Sequence, residues 1–494
     1  MIFRKIHKLC ASLSVGTATV RLAFYFLPFC QKFEENPNFP ILYKIKLVFF
    51  QPEFEQKSQN LIMITNFTVE NYRSIDEKVE LSLEASTGIK DMAERGYTQE
   101  AGLRVLNTLA FFGANSSGKS NVFKALGWMR SIIVHSIRLN DGERLPYDPF
   151  LLSDKEPRPT RFEMSFAEGS DKFTYGFSYT AERIEEEWLI AKYPRRSLKT
   201  LLKRSRESIE IDQENFNEGN TIVTGNVPLN ANRLFISLSA QLGGEVSKRV
   251  MEWFRTKLNV VSGIRDNSFS RVTKEMLHSD SGYKEDILHF IGSLDLGFDE
   301  VTTKQENIDE MTLPKGLPAE VIASLREHPM ITAYSKHLKI NEDGVAVGTV
   351  DFDIDEQESD GTRKLFNLSG PIVDTLKNGK ALFIDEMDAQ LHPLLSKEIV
   401  NLFNCPETNP KGAQLIFTTH DTNMLSKKLL RRDQVVFVEK TVKTRYATKL
   451  TPMMTITLEN GSKPRTDSNY EKNYLDGKYG AIPYYRSDFD GCNE

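Results

Sequence analysis

The stretch from Leu106 to Ile133 constrains this chain more than any other. An apolar run, Leu106-Asn107-Thr108-Leu109-Ala110-Phe111-Phe112, leads into Gly113-Ala114-Asn115-Ser116-Ser117-Gly118-Lys119-Ser120. Beyond it Val122, Phe123, Leu126, Met129, Ile132 and Ile133 recur at three- and four-residue intervals, the period of a helix with one buried face. Strand, glycine loop and helix in that order are the context that a phosphate-binding loop requires. Gly113 and Gly118 permit dihedrals and close approaches that a Cβ would block. The freed N–H groups make an anion-binding nest, with Asn115, Ser116 and Ser117 in the cradle. The helix starting near Lys119 adds unpaired N–H groups and the positive end of its dipole. In such a loop Lys119 reaches the β- and γ-phosphates of a nucleotide, and the Ser120 hydroxyl ligates Mg²⁺. A plain glycine–serine turn between unrelated elements is the competing reading; it leaves the flanking strand and helix without a reason.

Two further strands complete the pattern. Ala381-Leu382-Phe383-Ile384-Asp385-Glu386 is apolar and ends in two carboxylates. Alone it reads equally well as a buried strand with an acidic cap for the next helix. Paired with a phosphate loop, Asp385 is expected to hold Mg²⁺ through water and Glu386 to polarise the attacking water. Gln414-Leu415-Ile416-Phe417-Thr418-Thr419-His420 is a second apolar strand with a polar end. Ligands of doubly wound sheets collect at the carboxyl ends of the strands, so His420 is expected beside Asp385 and Glu386 as a third catalytic group with Lys119.

The rest of the chain is consistent with a large globular protein. Its 494 residues leave room for two to four domains, and 40% hydrophobic with 27% charged residues is the balance of a soluble chain. A net charge of −5 gives no global basic field for nucleic acid. Four scattered cysteines, Cys10, Cys30, Cys405 and Cys492, include no CxxC pair, which suits a reducing cytoplasm. Arg4, Lys5 and Lys8 precede a mildly apolar run from Leu9 to Cys30. Arg21 in its middle would cost roughly 2.5–3.5 kcal/mol on insertion scales, so no membrane anchor is expected. The natural chain is read as beginning at Met63, with residues 1–62 a non-native or disordered extension.

From Met63 the pattern turns regular. Ile64, Phe67 and Val69, then Val79, Leu81 and Leu83, alternate as two strands. Phe162, Met164 and Phe166, then Phe173, Tyr175, Phe177 and Tyr179, predict a hairpin around Gly169-Ser170-Asp171. Residues 195–230 are polar and weakly periodic and read as loop-rich. Helices are expected over 246–258 and 284–294, and a short one after the breaker Leu313-Pro314-Lys315-Gly316-Leu317-Pro318. The expected organisation is an N-terminal lobe over 63–194, an insertion over 195–350, a C-terminal lobe over 351–450 and a tail over 451–494. Lys427 to Lys449 holds eight Lys or Arg against two acidic residues, a run that is usually a solvated face and leaves nucleic-acid binding open.

The order Gly113–Ser120, then Ile384-Asp385-Glu386-Met387-Asp388, then Leu391-His392-Pro393, then Thr418-Thr419-His420-Asp421 resembles the ABC-type, AAA-family ATPases of the OLD and Rlo class, found in prokaryotic defence modules. It is similar as well to the break-repair and SMC ATPase heads. In the tail, Leu430-Arg431-Arg432-Asp433-Gln434-Val435 and Tyr474-Leu475-Asp476-Gly477-Lys478-Tyr479-Gly480-Ala481-Ile482-Pro483 resemble the closing motifs of Rlo-type (RloA-like) members. The resemblance implies an α/β P-loop NTPase of ABC-ATPase type, with an antiparallel β subdomain and a large mixed, mainly helical insertion. It implies ATP and Mg²⁺ as cofactors and places the adenine near the first two strands. It also implies that a signature loop of one subunit closes on ATP held by another, giving a homodimer or higher homo-oligomer. The matching segment is Glu358-Ser359-Asp360-Gly361-Thr362-Arg363-Lys364, with Ser359 and Gly361 as donors, although it departs from the usual leucine-serine-glycine-glycine form. The family's glutamine loop falls in the region Pro146–Ser153, and Asp388 falls at the subunit boundary.

Three functions fit these residues. The first is an ATPase that acts as sensor or regulatory subunit of an anti-phage system, with a separate effector that is RloB-like or a nuclease. The second is an OLD-type DNA nuclease or DNA-repair ATPase. Only 74 residues follow His420, which is short for an appended nuclease domain, although Asp488-Phe489-Asp490 has a spacing suited to Mg²⁺. The third is a scaffold that binds ATP without turning it over.

Overall fold

The computed structural model describes residues 62–483, apart from 90, 91, 93, 101, 155, 262–267, 280, 281, 295, 299, 307–329, 459, 460, 462 and 465–467. Residues 1–61 of the expected extension, the helix expected beyond 318 and Asp488-Phe489-Asp490 lie outside the described residues.

In chain order, β1 (Ile62–Glu70) pairs antiparallel with β2 (Val79–Ser82). β3 (Tyr97–Glu100) and β4 (Leu103–Leu106) form a small sheet of their own. The phosphate-loop stretch follows as β5 (Thr108–Phe112), buried at every position, and α1 (Lys119–His135). A run of antiparallel strands comes next: β6 (Thr160–Glu168), β7 (Asp171–Tyr179), β8 (Ile184–Lys192), β9 (Lys199–Arg204) and β10 (Ile209–Ile211). Helices α2 (Phe235–Gln241) and α3 (Glu245–Thr256) lead to β11 (Leu258–Val261), then α4 (Ser268–His278) and α5 (Lys284–Ser293). A three-stranded sheet of β12 (Glu300–Glu306), β13 (Met330–Ile340) and β14 (Ala346–Asp353) precedes α6 (Asp360–Asn378). The chain closes with β15 (Ala381–Ile384), α7 (Pro393–Asn404), β16 (Gln414–Thr419), β17 (Val435–Glu439), β18 (Lys449–Pro452) and α8 (Tyr470–Leu475).

Two large sheets organise these elements. One is seven-stranded and antiparallel, in the order β10-β9-β8-β7-β6-β1-β2. The alternation of Phe162, Met164, Phe166 with Phe173, Tyr175, Phe177 and Tyr179 puts a buried aromatic layer on it, and Trp253 of α3 stacks on Phe166 at 4.1 Å. Residues 195–230 carry β9 and β10, where the sequence reads as loop. The reason is local: Leu201 and Leu202 are adjacent and both fully buried, and the β8–β9 register shifts at Leu189/Ile190, so no period of two shows.

The other sheet carries the site. Its order is β11-β15-β16-β5-β17-β18, and the first five strands are parallel. Strands buried on both faces read as continuous apolar runs, which is how β5, β15 and β16 read. Phe123 of α1 fixes the helix on this sheet through edge contacts with Phe111 and Phe383, both at 5.6 Å between ring centres. Register brings the three key strand ends close together with a two-residue stagger: Ile384 opposes Phe417, and Thr419, two residues further along β16, opposes Phe112.

Helix α6 contains Pro371 in its interior. Proline cannot donate to the carbonyl four residues back, Asn367. Thr273 of α4 supplies the missing donor: its Oγ1 donates to the Asn367 carbonyl at 2.9 Å. Among the described residues no helix is long and apolar enough to cross a membrane.

Candidate active site

The loop after β5 is shaped by its glycines. A Cβ on Gly113 would overlap the Val438 carbonyl of β17, and one on Gly118 would overlap Thr448. Gly118 also has φ +99°, a left-handed conformation that glycine adopts without penalty. Ser116 adopts φ 63° without that freedom. Left-handed backbone at a non-glycine residue costs of order 1–3 kcal/mol and concentrates at ligand clamps.

Within the loop Lys119 is 6% exposed and curls over its own backbone, with Nζ donating to the Gly113 carbonyl at 2.7 Å and the Ala114 carbonyl at 3.0 Å. Burial pulls its ammonium down to about 8, against the carboxylates of Asp385, Glu386 and Asp388, which pull the other way. Ser120 follows at the first turn of α1, half-buried. Asn115 and Ser116 are exposed, while Ser117 is buried and its Oγ has no hydrogen-bond partner among the described residues. A buried hydroxyl without a partner is costly unless a ligand satisfies it.

Strand β16 lies between β5 and β15 and supports the acidic turn from its side of β15. Asp385, 7% exposed, accepts from Thr418 Oγ1 at 2.7 Å, and the same hydroxyl oxygen accepts the Glu386 N–H at 2.7 Å. The Met387 N–H donates to the Thr418 carbonyl at 3.0 Å. Asp388 accepts the backbone N–H of His420 at 3.1 Å. Desolvation first, and the Lys119 charge second, hold the His420 imidazole below its usual range, while the three carboxylates oppose both. Lys119, Asp385, Glu386 and His420 therefore share one electrostatic neighbourhood at the carboxyl ends of three adjacent parallel strands.

Ser359 caps α6, accepting the Thr362 N–H at 3.2 Å. A Cβ on Gly361 would come within 2.8 Å of the Gln390 carbonyl. Within the chain Gly361 therefore rests on the acidic turn, while Ser359 stays exposed at the start of the helix. The Pro146–Ser153 segment docks on the loop after β1: the Arg73 N–H donates to the Asp148 carbonyl at 2.8 Å, and Arg73 Nε to its carboxylate at 2.6 Å.

Several supporting residues escape the sequence reading. Thr448 Oγ1 donates to the Ser117 carbonyl at 3.0 Å and lies 2.8 Å from Ser74 Oγ, to which Asn121 Nδ2 donates at 2.7 Å. The tail reaches the loop as well: the Ala114 N–H donates to the Ala481 carbonyl at 3.0 Å, and Tyr474 OH donates to the same carbonyl at 3.1 Å. The tail motif was the signal, but only the fold shows where it lands. Lys364 is another such residue: its Nζ donates to the carbonyls of Glu386 at 2.8 Å and Ala389 at 2.7 Å. The basic run is not a uniform face. Arg431 is fully buried, paired with Asp433 at 2.8 Å, and Arg432 donates to the Pro464 carbonyl at 2.9 Å.

A phosphate loop after β5, an acidic end on β15 and the polar end of β16 between them define a P-loop nucleoside-triphosphatase fold of ABC type. Residues 109–426 match the family described as "AAA domain, putative AbiEii toxin, Type IV TA system", and the chain belongs to that family. Among solved structures it is similar to an SMC head bound to the C-winged helix domain of ScpA, at 16% identity and a TM-score of 0.36 over 78% of this chain and 97% of that one. It is similar also to the SMC head domain from Thermotoga maritima, at 13% identity and a TM-score of 0.35 over 79% and 98%. No curated protein matches the chain.

Proposed function

We propose that the chain binds ATP with Mg²⁺ and hydrolyses it, as a cytoplasmic regulatory or sensor subunit that acts with a separate effector in anti-phage defence. One observation carries the enzymatic part: the buried Lys119 ammonium shares its electrostatic surroundings with the carboxylates of Asp385 and Glu386 where β5, β16 and β15 end within two residues of one another. The loop amides, the unpartnered Ser117 hydroxyl and Lys119 would receive the phosphates. Asp385 and the Ser120 hydroxyl are hard oxygen donors, which suits Mg²⁺. Bound there, Mg²⁺ would neutralise charge on the phosphates. Glu386, adjacent to Asp385 on the turn, would orient and polarise the attacking water, and His420 would stand beside the leaving phosphate. Ser359 and Gly361 would close on ATP held by a second copy, making a homodimer or higher oligomer. The defence role draws support from the family description, which names a putative toxin of a type IV toxin–antitoxin system.

The test is ATP turnover by the full chain with Mg²⁺, compared with Lys119→Ala. Turnover that the substitution abolishes is expected; equal turnover in both proteins would remove this loop as the phosphate site.

A further inference from the structure

We propose that Lys364 is a positioning residue for Glu386, tying the signature-like loop to the backbone of the acidic turn so that movement of Ser359 and Gly361 re-aims the Glu386 carboxylate. The inference rests on the hydrolytic reading given above.

Glu386 and Gln390 have φ of 52° and 63°. Such a turn persists only where its surroundings over-determine it. Strand β16 supplies three of its restraints: Thr418 Oγ1 takes the Glu386 N–H, the Thr418 carbonyl takes the Met387 N–H, and Asp388 takes the His420 N–H. Those restraints belong to a packed sheet and move with it. Within the turn the Ala389 N–H donates to the Glu386 carbonyl and the Leu391 N–H to the Asp388 carbonyl, both at 3.1 Å, and further restraints come from α6. Lys364 Nζ gathers the carbonyls of Glu386 and Ala389, Gly361 stands against the Gln390 carbonyl, and Gln390 Nε2 lies 3.5 Å from the Asp360 carboxylate. Lys364 sits five residues after Ser359, on the same first turns of the helix.

The chemistry of the contact suits the role. An ammonium has three donors and no acceptor, so it can hold two carbonyls at once. Charge-assisted bonds of this kind are short and strong. The carbonyl of Glu386 rotates with ψ of Glu386, the torsion next to the Cα that bears the carboxylate. A shift of the ammonium therefore turns that residue. A misplaced water or base is expensive in rate, because phosphoryl transfer depends mainly on position. Burial pulls the Lys364 ammonium down to about 8, against the charges of Asp388, Glu386 and Asp385, which favour its charged form.

A simple strut would show itself in stability and in nucleotide affinity. A positioning residue would show itself in kcat. The experiment compares full-length wild type, Lys364→Met and Lys364→Arg for kcat, for KM, for affinity towards a fluorescent ATP analogue and for melting temperature. Lys364→Met is expected to lose kcat by about tenfold or more, on the scale of an active-site electrostatic contact. Its KM and analogue affinity should stay within about twofold of wild type, while Lys364→Arg keeps most of kcat because it still donates to carbonyls. Wild-type kcat in Lys364→Met would overturn the inference, as would a loss that follows melting temperature and affinity and is not rescued by arginine. Absence of turnover in the wild type would overturn the hydrolytic reading beneath it, and that result is separate from either variant.

Discussion

Thr418 holds Asp385 and the backbone of Glu386 with one hydroxyl group, donating to the Asp385 carboxylate and accepting the Glu386 N–H, both at 2.7 Å. Thr418 is fully buried. Thr418→Val keeps the shape and removes the hydroxyl, leaving the Glu386 N–H without its acceptor. An orphaned buried donor costs about 1–3 kcal/mol. The denaturation midpoint should fall accordingly, and ATP turnover should fall further than stability alone explains, because both acidic residues lose their alignment. Unchanged kcat in a folded Thr418→Val protein would show that the hydroxyl does not align them.

Asp385 and Glu386 are neighbours in the turn after β15, where the Asp385 carboxylate is tied to Thr418 Oγ1 and Glu386 takes φ 52°, so the two are held differently. Glu386→Gln keeps the volume and removes the charge that we propose polarises the attacking water. Hydrolysis should fall by at least about a hundredfold, the scale of a general-base contribution, with ATP binding retained. If Ser359 closes over ATP in trans, ATP-Mg should then raise the sedimenting mass of Glu386→Gln. Gly361 is a poor place to break that closure, because any side chain would press on the Gln390 carbonyl of its own chain. Ser359→Arg, on an exposed residue, is the cleaner disruption, and it should return the mass to that of the free chain. A mass that ATP never changes would count against closure in trans.

The parts of the site that were legible in the sequence are those with a local signature. Gly113, Gly118, Lys119 and Ser120 sit between a buried strand and an amphipathic helix, and the parallel strands β15 and β16 read as apolar runs because both faces are covered. Contacts between residues far apart in the chain left no such trace. Thr448 reaches Ser117 across 331 residues and Ser74 across 374. Arg431, counted as part of a basic run, is buried because Asp433 and the Tyr97 ring are folded around it. Strand β9 escaped for a local reason, since a bulge and paired leucines erase its alternation, and β10 is only three residues long. Periodicity reports the face a residue presents, and it is silent on which distant residue meets that face.

Helix α6 offers a stability test away from the chemistry. Pro371 leaves the Asn367 carbonyl without its helical donor, and Thr273 Oγ1 provides one at 2.9 Å. Thr273 is fully buried. Thr273→Val should therefore destabilise the chain by about 1–3 kcal/mol. Pro371→Ala in that background restores an N–H for the same carbonyl and should recover part of the loss. Denaturant titration of the two single variants and the double variant would show the coupling, and strict additivity would dismiss it.

The tail supplies the last test. Phe437 of β17 stacks on Tyr474 at 5.2 Å between ring centres, and Tyr479 lies 5.4 Å from the same ring. These contacts anchor the tail, and Ala481, at φ 59°, turns its carbonyl to the Ala114 N–H of the phosphate loop. Tyr474 OH donates to that carbonyl, and Glu471 of the same helix accepts from Thr422 Oγ1 at 2.9 Å, two residues after His420. The tail thus spans the outside of the loop and the end of β16. Tyr474→Phe keeps the ring and its stacking and removes only the hydroxyl. A net hydrogen bond is worth about 1 kcal/mol, so ATP affinity should weaken by roughly fivefold if that carbonyl sets the loop. Tyr474→Ala should weaken it much further, since the aromatic anchor goes as well. Equilibrium binding of a fluorescent ATP analogue to wild type and both variants decides the matter: equal affinities across the three would reduce the tail to a cover with no hold on the phosphate loop.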